Sequence, residues 1–399
     1  MRGRRLLAAF VAVAVFALAE GSALAAPPLV QRLAQALALS PARTGGVAFD
    51  LTTGATIFSR NEALPLAPAS NEKLLVTYAT LVELGSSYRI ETDVLGRGDL
   101  QGTIWTGDLI LQGHGDPTLG HGGLADLARQ VRAFGITRVT GRILGDESYF
   151  DSRRTAPGWL SWFYITESPP LSALAVDRAW YVNHYTAAPA LASAILFRGA
   201  LRRIGVSVGG IATTGRATGD TFPLASIESP PLAEILRFMD RESDNYTAEL
   251  LLKQLGAVEA GHGTTPAGAA SVRAVLAAHK IPLAGVRIVD GSGLSRLDRL
   301  TARTIVGLLR AAWTDPDVRA PFVAALAVAG RNGTLVHRMR TLPARGNVFA
   351  KTGTTDIASA LSGFVRERFL FSVLENGHPV SVRAAQRAQD RFATLLAAQ

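Results

Sequence analysis

The sequence predicts an α/β (α+β) protein in which one domain is split by an inserted β-rich module. Runs typical of strands lie near the start, at 45–51 and 55–59, and near the end, at 348–351, 358–365 and 369–374. In the middle of the chain, short strand-like runs alternate with glycine-rich turns, and helical patterns return afterwards. Because similar patterns flank a segment of different texture, the two ends of the chain are expected to form a single domain.

The individual elements follow hydrophobic periodicity and turn residues in chain order. A helix is predicted over 29–39, a hairpin turns at Thr52-Thr53-Gly54, and a second helix follows Ser70 and runs to Leu84. The last predicted helix, 380–398, mixes arginines with apolar residues, which favours packing on the sheet and leaves peripheral membrane contact as the alternative. Other helices are predicted over 124–134, 232–239, 246–255, 266–279 and 301–313, and other strands over 103–111 and 139–144.

The first 25 residues have the features of a signal peptide. Arg2, Arg4 and Arg5 precede an apolar run over 6–19, and Ala23-Leu24-Ala25 provides a cleavage site with small residues. The apolar run is shorter than the ~20 residues that a membrane-spanning helix needs. The sequence therefore predicts an exported protein that is periplasmic or associated with the cell wall.

Composition excludes several classes of protein. The 399 residues include no cysteine, which rules out disulfide scaffolds, thiolate zinc sites and a cysteine nucleophile. The formal net charge of +9 suits an anionic polymer or surface. The arginines are scattered rather than clustered with aromatic residues, so no nucleic-acid partner is expected. The seven histidines form no close ligand pair, and neither a metal nor a cofactor is expected.

The first chemical motif pairs a hydroxyl with an amine. Ser70 and Lys73 stand three positions apart at the start of a predicted helix, which places both side chains on one face. Unpaired N–H groups at a helix start favour a negatively charged oxygen. Burial beside other cations can lower the pKa of a lysine from ~10.4 until the amine accepts the serine proton. Taken alone, the same pattern is more often a capped helix start with a solvated lysine.

Two further motifs follow in the second half of the chain. Ser243-Asp244-Asn245 lies between predicted helices and can present a hydroxyl and an amide to a cleft, or simply cap the next helix. Lys351-Thr352-Gly353 closes a predicted strand and can offer a cation and a hydroxyl to a carboxylate, while the glycine leaves room for a peptide backbone. The order S-x-x-K, S-D-N, K-T-G is the set found in penicillin-binding proteins and class A β-lactamases.

With these motifs in place, the chain resembles the D-alanyl-D-alanine carboxypeptidase/endopeptidase family, the class C low-molecular-mass penicillin-binding proteins. The resemblance covers nearly the whole chain after the signal peptide and departs from the family pattern in two places. The family carries more chain between Asn183 and Ala190, so a small third subdomain is expected to be reduced, and the connection 366–368 is tight. Besides the motifs, the stretches that carry the resemblance are 107–111, 113–119, 145–151, 230–232, 243–249, 290–296 and 329–335.

The resemblance implies a penicillin-binding-protein/serine β-lactamase-like fold, with an antiparallel sheet flanked by helices. The catalytic domain would comprise 26–95 and 225–399, and the accessory module 96–224. In the catalytic domain, Ser70 would be the nucleophile and Lys73 its general base. Ser243 and Asn245 would relay protons and hold the substrate amide.

The same resemblance implies a set of substrate-binding residues. Lys351 and Thr352 would bind the terminal carboxylate beside Gly353, and the N–H groups of Ser70 and Thr354 would form the oxyanion hole. Asp146 and Asp116, in the inserted module, are candidates to meet an ammonium group on the stem peptide. Their alternative role is that of turn-forming aspartates.

The implied function is that of an exported serine D-Ala-D-Ala carboxypeptidase, with endopeptidase activity on cross-links as a further expectation. Its partners would be peptidoglycan stem peptides, and β-lactams would acylate Ser70. Two alternatives stay open. A serine β-lactamase would need fast deacylation, for which no carboxylate is evidently placed, and a non-catalytic peptidoglycan-binding protein would not need Ser70, Lys73 and Lys351 intact.

Overall fold

The computed structural model describes residues 27–399, so the predicted signal peptide lies outside the described residues. The helices are α1 (Leu29–Leu37), α2 (Lys73–Leu84), α3 (His121–Ala133), α4 (Phe163–Thr166), α5 (Pro189–Arg203), α6 (Leu232–Glu242), α7 (Asn245–Ala260), α8 (Thr265–Ala278), α9 (Ala302–Thr314), α10 (Pro316–Ala325) and α11 (Val382–Ala397). The strands are β1 (Arg43–Asp50), β2 (Ala55–Arg60), β3 (Glu91–Gln101), β4 (Ile104–Gly113), β5 (Arg138–Val139), β6 (Ile143–Asp146), β7 (Trp180–Tyr181), β8 (His184–Tyr185), β9 (Ser207–Val208), β10 (Ala212–Thr214), β11 (Phe222–Glu228), β12 (Ala327–Val328), β13 (Val348–Thr354), β14 (Ala358–Val365) and β15 (Phe369–Asn376).

The first sheet joins the two ends of the chain. Its strand order is β12-β13-β14-β15-β1-β2, and all neighbouring strands are antiparallel. Pairing of β1 with β15, from Arg43 opposite Asn376 to Asp50 opposite Phe369, closes the domain across the chain termini. The tight connection between β14 and β15 places Arg366 and Glu367 at positive φ, as two-residue hairpin turns require. The predicted antiparallel sheet flanked by helices is confirmed.

Helices cover both faces of this sheet and bury its strands on both sides. On one face, α2, α6 to α10 and the sheet share an apolar core that includes Leu74, Leu251 and Phe364. On the other face, α1 and α11 pack on the sheet through residues such as Leu33 and Phe392. The structure thus packs the C-terminal helix on the sheet, as its sequence favours. Within residues 27–399, no helix combines the length and the hydropathy needed to cross a membrane.

The second sheet is inserted between α2 and α6. Its main strand order is β10-β6-β4-β3-β11, with β5 and β9 attached through β4, and α3 and α5 bury an apolar core against it. The predicted boundaries at 96 and 224 fall inside two strands that pair from Glu91 opposite Glu228. Mutual hydrogen bonds of Ile90 and Ser229, with Ser229 N 2.9 Å from Ile90 O, mark where the chain enters and leaves this sheet.

Several elements differ from those that the sequence patterns predict. The strand predicted over 139–144 is two short strands, β5 and β6. Between them, the regular hydrogen-bond pattern with β4 is interrupted where Gly141 N donates to Gly107 O. Helix α10 is not among the predicted elements, although Asp315 caps it and Pro316 occupies its first turn. Before α5, where the resemblance implies a reduced third subdomain, the chain forms the hairpin β7–β8.

Candidate active site

Ser70 lies where a single 3₁₀ turn, Ala69–Glu72, leads into α2. The preceding residue, Ala69, has a φ of 48°, an uncommon conformation for a residue with a side chain. Asn71 donates from Nδ2 to the carbonyl oxygen of Lys351, 3.0 Å away, and so fastens the turn to β13. The predicted position of Ser70 at a helix start is therefore what the structure describes, and the K-T-G strand lies beside it.

Lys73 is fully buried beneath the nucleophile. Its Nζ lies 3.0 Å from Ser70 Oγ, 2.8 Å from Asn245 Oδ1 and 2.8 Å from the carbonyl oxygen of Ser292. Three acceptors match the three donors of an ammonium group. Burial lowers the pKa of Lys73 to about 8, although nearby carboxylates act in the opposite direction. A substantial fraction of this amine is therefore neutral at mildly alkaline pH and able to accept a proton from Ser70.

The S-D-N motif occupies the tight turn between α6 and α7. Ser243 ends α6 in the left-handed conformation, and Asp244 caps α7 by accepting a hydrogen bond from Thr247 N at 2.8 Å. This turn directs Ser243 and Asn245, the residues on either side of Asp244, toward the two lysines. Ser243 Oγ accepts from Lys351 Nζ at 2.8 Å, whereas Asn245 faces Lys73. The motif thus links the two lysines of the cleft.

Strand β13 brings the K-T-G motif against the nucleophile. A Cβ atom added to Gly353 would lie 3.0 Å from Ser70 N and 2.9 Å from Pro68 O, so only glycine permits this approach. Burial, assisted by the charge of Lys73, lowers the pKa of Lys351 to about 7. Thr352 donates from Oγ1 to Thr334 Oγ1 at 2.8 Å, and Thr354 is exposed at the end of the strand. The three predicted motifs therefore meet at one place.

A buried loop with acidic partners completes the base of the site. Glu249 Oε1 accepts hydrogen bonds from Gly291 N and Ser292 N at 3.0 and 2.8 Å, and Asp290 accepts from Gly293 N at 2.7 Å. These contacts fix the carbonyl of Ser292 above Lys73. Burial raises the pKa of Glu249 to about 8, with the nearby Asp290 acting in the same direction.

No role is predicted for this loop from the sequence, although the loop lies within the family-like stretch 290–296. A Cβ atom on Gly293, whose φ is 80°, would lie 1.9 Å from Ala69 O. The glycine required at this position is the one signal of the loop that its sequence carries, since it marks a close approach to the nucleophile turn.

Asp146 and Asp116 lie in the inserted segment, apart from the two lysines. Asp146 is fully buried at the end of β6 and accepts hydrogen bonds from Ser148 N at 2.8 Å, Ala217 N at 2.8 Å and Gln112 Nε2 at 3.0 Å. It lines a cavity of about 510 Å³. Asp116 accepts from the N–H and hydroxyl of Thr118, as a turn-forming aspartate does. Their role toward an ammonium group stays a prediction.

Among residues 27–399, no group of three or more His, Asp or Glu side chains has the spacing to hold a metal ion. The polar atoms around Ser70 are instead those of lysines, hydroxyls and amides, which suit proton transfer and hydrogen bonding to an acyl group.

The chain is similar in sequence to known proteins. A profile described as the D-Ala-D-Ala carboxypeptidase 3 (S13) family matches residues 27–190 and 182–399. The chain is 32% identical to D-alanyl-D-alanine carboxypeptidase of Actinomadura sp. over 450 aligned positions, covering 90% of this chain and 82% of that protein. It is 33% identical to carboxypeptidase DacB of Mycolicibacterium smegmatis, covering 91% and 84%.

Among solved structures, penicillin binding protein 4 of Haemophilus influenzae superposes with a TM-score of 0.81 at 21% identity, covering 90% of this chain and 97% of that one. This likeness confirms the predicted fold. The match of the family profile along nearly all of residues 27–399, together with two relatives above 30% identity, confirms the resemblance that the motifs indicate. The chain belongs to the D-Ala-D-Ala carboxypeptidase 3 (S13) family.

Proposed function

We propose that this protein is an exported serine D-Ala-D-Ala carboxypeptidase that trims peptidoglycan stem peptides through an acyl-enzyme on Ser70. The observation that carries the proposal is the contact between Ser70 Oγ and the buried Nζ of Lys73, 3.0 Å apart. Family membership supports the substrate class. Export rests on the signal peptide predicted over 1–25.

In the acylation step, Ser70 Oγ attacks the carbonyl carbon of the penultimate D-Ala while neutral Lys73 accepts the hydroxyl proton. The N–H groups of Ser70 and Thr354 stabilise the oxyanion, and loss of one such donor typically costs ~2.7–4 kcal/mol. The C–N bond then breaks, and the terminal D-Ala leaves as an amine. Its nitrogen takes up a proton delivered through Ser243, with Asn245 holding the substrate amide.

Hydrolysis of the acyl-enzyme completes the cycle. Water attacks the ester carbonyl, Lys73 accepts a proton from that water, and the ester bond to Ser70 Oγ breaks. The proton returns to Ser70 Oγ, and the shortened stem peptide leaves with a new carboxylate. The same residues thus serve in both halves of the reaction.

Substrate recognition is assigned to the edge of β13. Lys351, when protonated, pairs with the terminal carboxylate, and Thr352 donates its hydroxyl to the same group. Gly353 lets the peptide backbone lie along the strand, where no side chain intervenes. A free D-Ala carboxylate is therefore a feature of the preferred substrate.

Asp146 is assigned the ammonium group of the third stem residue, since it lines a cavity in which the other two acids, Glu147 and Asp151, already pair with Arg154 and Lys253. Arg216 also lines this cavity. We expect Asp146→Ala to raise KM for peptides whose third side chain ends in an amine, and to leave peptides without that amine unchanged. Steady-state kinetics on the two peptides measures the difference. Equal kinetics on both would contradict this assignment.

Labelling with a fluorescent penicillin tests the proposed acyl-enzyme. A β-lactam presents an acyl group to the same hydroxyl, and the related penicillin binding protein 4 of Haemophilus influenzae has been solved in complex with a β-lactam. We expect stable labelling of the wild-type protein and none of Ser70→Ala. Ser207→Ala, at an exposed serine of the second sheet, is the matched control and should label normally.

Other outcomes of this labelling would favour the alternatives. Rapid loss of the label would indicate a serine β-lactamase, and failure of the wild-type protein to label while it still binds sacculi would indicate a non-catalytic peptidoglycan-binding protein. Incubation with purified sacculi then separates the peptidase activities. Free D-Ala marks a carboxypeptidase, and opened cross-links mark an endopeptidase.

A further inference from the structure

One arginine of the inserted segment reaches the S-D-N turn of the active site. The Arg178 guanidinium pairs with Asp244 Oδ1, and its Cζ lies 4.9 Å from the ring centroid of Tyr246 and 5.8 Å from that of Phe238. The two charged side chains are only 29% and 17% exposed. An ion pair that is largely shielded from water and packed on aromatic rings has a defined geometry, unlike most surface pairs.

The backbone that carries Arg178 adopts an uncommon conformation. Asp177, Arg178 and Ala179 all have positive φ, at 46°, 58° and 66°. Such residues persist only where surrounding contacts fix them, and they cluster at functional sites. Here Asp177 N donates to Leu119 O at 2.8 Å, and Thr186 N donates to Ala179 O at 2.9 Å. The inserted segment therefore fixes a turn whose conformation directs Arg178 toward Asp244.

A second contact from the same segment reaches the next residue of the motif. Asn245 Nδ2 donates to the carbonyl oxygen of Glu167 at 2.9 Å, while its Oδ1 accepts from Lys73. This contact fixes which end of the amide faces the lysine, because the nitrogen is already engaged. Residues of the insertion thus hold both Asp244 and Asn245.

We propose that Arg178 is a positioning residue of the active site: by clamping Asp244, it holds Ser243 and Asn245 where Lys351 and Lys73 contact them. The proposal rests on the proposed acyl-enzyme function. It makes the inserted segment a working part of the catalytic site, in addition to any role in recognising the substrate.

The charge of Arg178 has an effect separable from its shape. Although burial acts in the opposite direction, the Arg178 guanidinium keeps the pKa of Asp244 below its usual range. Loss of Arg178 would leave the Asp244 carboxylate uncompensated, which would raise the pKa of Lys73 and move its neutral form to higher pH. The titratable groups that face Lys73 are Asp290, Asp244, Glu249, Asp240, Glu72 and Lys351.

The experiment compares Arg178→Ala with Arg142→Ala. Arg142 is also an arginine of the insertion that pairs with an aspartate, Asp108, at 3.0 Å, but it lies in the connection between β5 and β6. The rate of penicillin acylation is measured against pH, together with the melting temperature. We expect Arg178→Ala to acylate about 10- to 100-fold more slowly, as small misplacements of reacting groups do. The rising limb of its pH profile should move to higher pH. Arg142→Ala should match the wild type in the acylation rate and in the position of this limb.

Two further variants separate positioning from folding. Arg178→Lys keeps the charge without the planar fork, so the pH limb should return to its wild-type position while the rate recovers only in part. Asp244→Asn keeps a capping oxygen, and adding Arg178→Ala to it should cause no further loss. A fully additive second loss would overturn the proposal, and these variants decide the matter if Arg178→Ala does not fold.

Failure of this proposal differs from failure of the proposed function. If wild-type protein acylates and folded Arg178→Ala acylates at the same rate with the same pH limb, Arg178 has no positioning role. Equal losses in Arg178→Ala and Arg142→Ala would overturn it as well. If wild-type protein acylates no faster than Ser70→Ala, the acyl-enzyme function itself fails, and the positioning role is overturned with it.

Discussion

The two faces of the first sheet both bury ionisable groups, but they give them different neighbours. On the face that carries α2, Lys73 contacts the hydroxyl of Ser70, and Lys351 contacts that of Ser243. On the face that carries α11, Glu375 accepts a hydrogen bond from Gln389 Nε2 at 2.9 Å.

Burial shifts all three groups toward neutrality. It lowers the pKa of Lys73 to about 8, lowers that of Lys351 to about 7 and raises that of Glu375 to about 7. The size of a shift therefore does not distinguish a catalytic group from a structural one. What distinguishes them is the neighbour, because the two lysines contact hydroxyls of the cleft, whereas Glu375 contacts a glutamine of α11.

The largest effect is expected for Lys73→Ala. Loss of a general base should reduce D-Ala release and penicillin acylation by about 10²- to 10⁴-fold, with the fold retained by circular dichroism. Lys253→Ala is the matched control, since Lys253 is also buried but pairs with Asp151 in the inserted segment. It should lower the melting temperature and keep the rate of penicillin acylation, which does not involve the cavity lined by Asp151. Near-normal turnover in Lys73→Ala would remove Lys73 from the role of base.

Lys351→Met should have the next largest effect, and one that depends on the substrate. Loss of a charged hydrogen bond worth ~1.5–3 kcal/mol should raise KM for peptides with a free terminal carboxylate by about 10- to 150-fold. An analogue with an amidated terminus should be affected much less, because it lacks the group that Lys351 would bind. Steady-state kinetics on the two peptides makes the comparison. Equal losses on both would assign Lys351 to proton transfer instead.

The pH dependence sharpens the contrast between the faces. Lys73 must be neutral, so acylation rises as pH passes upward through its pKa, and Lys351 must be charged, so peptide binding falls as pH passes through its own. Because the pKa of Lys73 is about 8 and that of Lys351 is about 7, the form with Lys73 neutral and Lys351 charged is a minor one. The profile of kcat/KM should therefore be bell-shaped with its maximum between these two values, and its limbs belong to the interacting pair. Lys351→Met should remove the falling limb. A flat profile between pH 6 and 9 would exclude both assignments.

The smallest effect is expected on the opposite face, for Glu375→Gln. Because burial raises the pKa of Glu375 from 4.5 to about 7, the folded state binds this proton more tightly than the unfolded chain. The stabilisation is complete below about pH 4.5 and is lost as pH rises through about 7. At pH 8 the glutamine variant should gain about 1–3 kcal/mol in the free energy of unfolding, measured by urea titration. Its acylation rate should equal that of the wild type, and a changed rate would contradict the division between the faces.

The sequence predicts which residues form each part of this site because each motif is local. Within S-x-x-K, S-D-N and K-T-G, a helix start, a turn or a strand fixes where the side chains point, so spacing alone carries the geometry. The partners that tune these residues are far away in the chain. Glu249 contacts Ser292 and Arg178 contacts Asp244 only in the folded protein. A pattern within one element does not predict such a pair.

The same division holds for the fold. Helices such as α2, α7 and α9 and five of the six strands of the first sheet are predictable from periodicity, and their ends shift by a few residues, whereas α5 and β12 are not among the predicted elements. Helix α10 is not predicted because Pro321 inside it contradicts a helical pattern, although Asp315 and Pro316 are typical of a helix start. The sequence pattern does not locate the first and last residues of the second sheet, because Glu91 and Glu228 differ little from the residues around them. Only the pairing of these two residues shows where the sheet begins.

The close passage of β13 past the nucleophile limits how this enzyme could acquire new specificity. Since any side chain at Gly353 would press on the backbone beside Ser70, variation there would disable the enzyme before it altered its preference. Thr354, which is exposed one position further along, has no such restriction. Drug-resistant or engineered forms should therefore accumulate substitutions at the end of this strand and leave Gly353 unchanged.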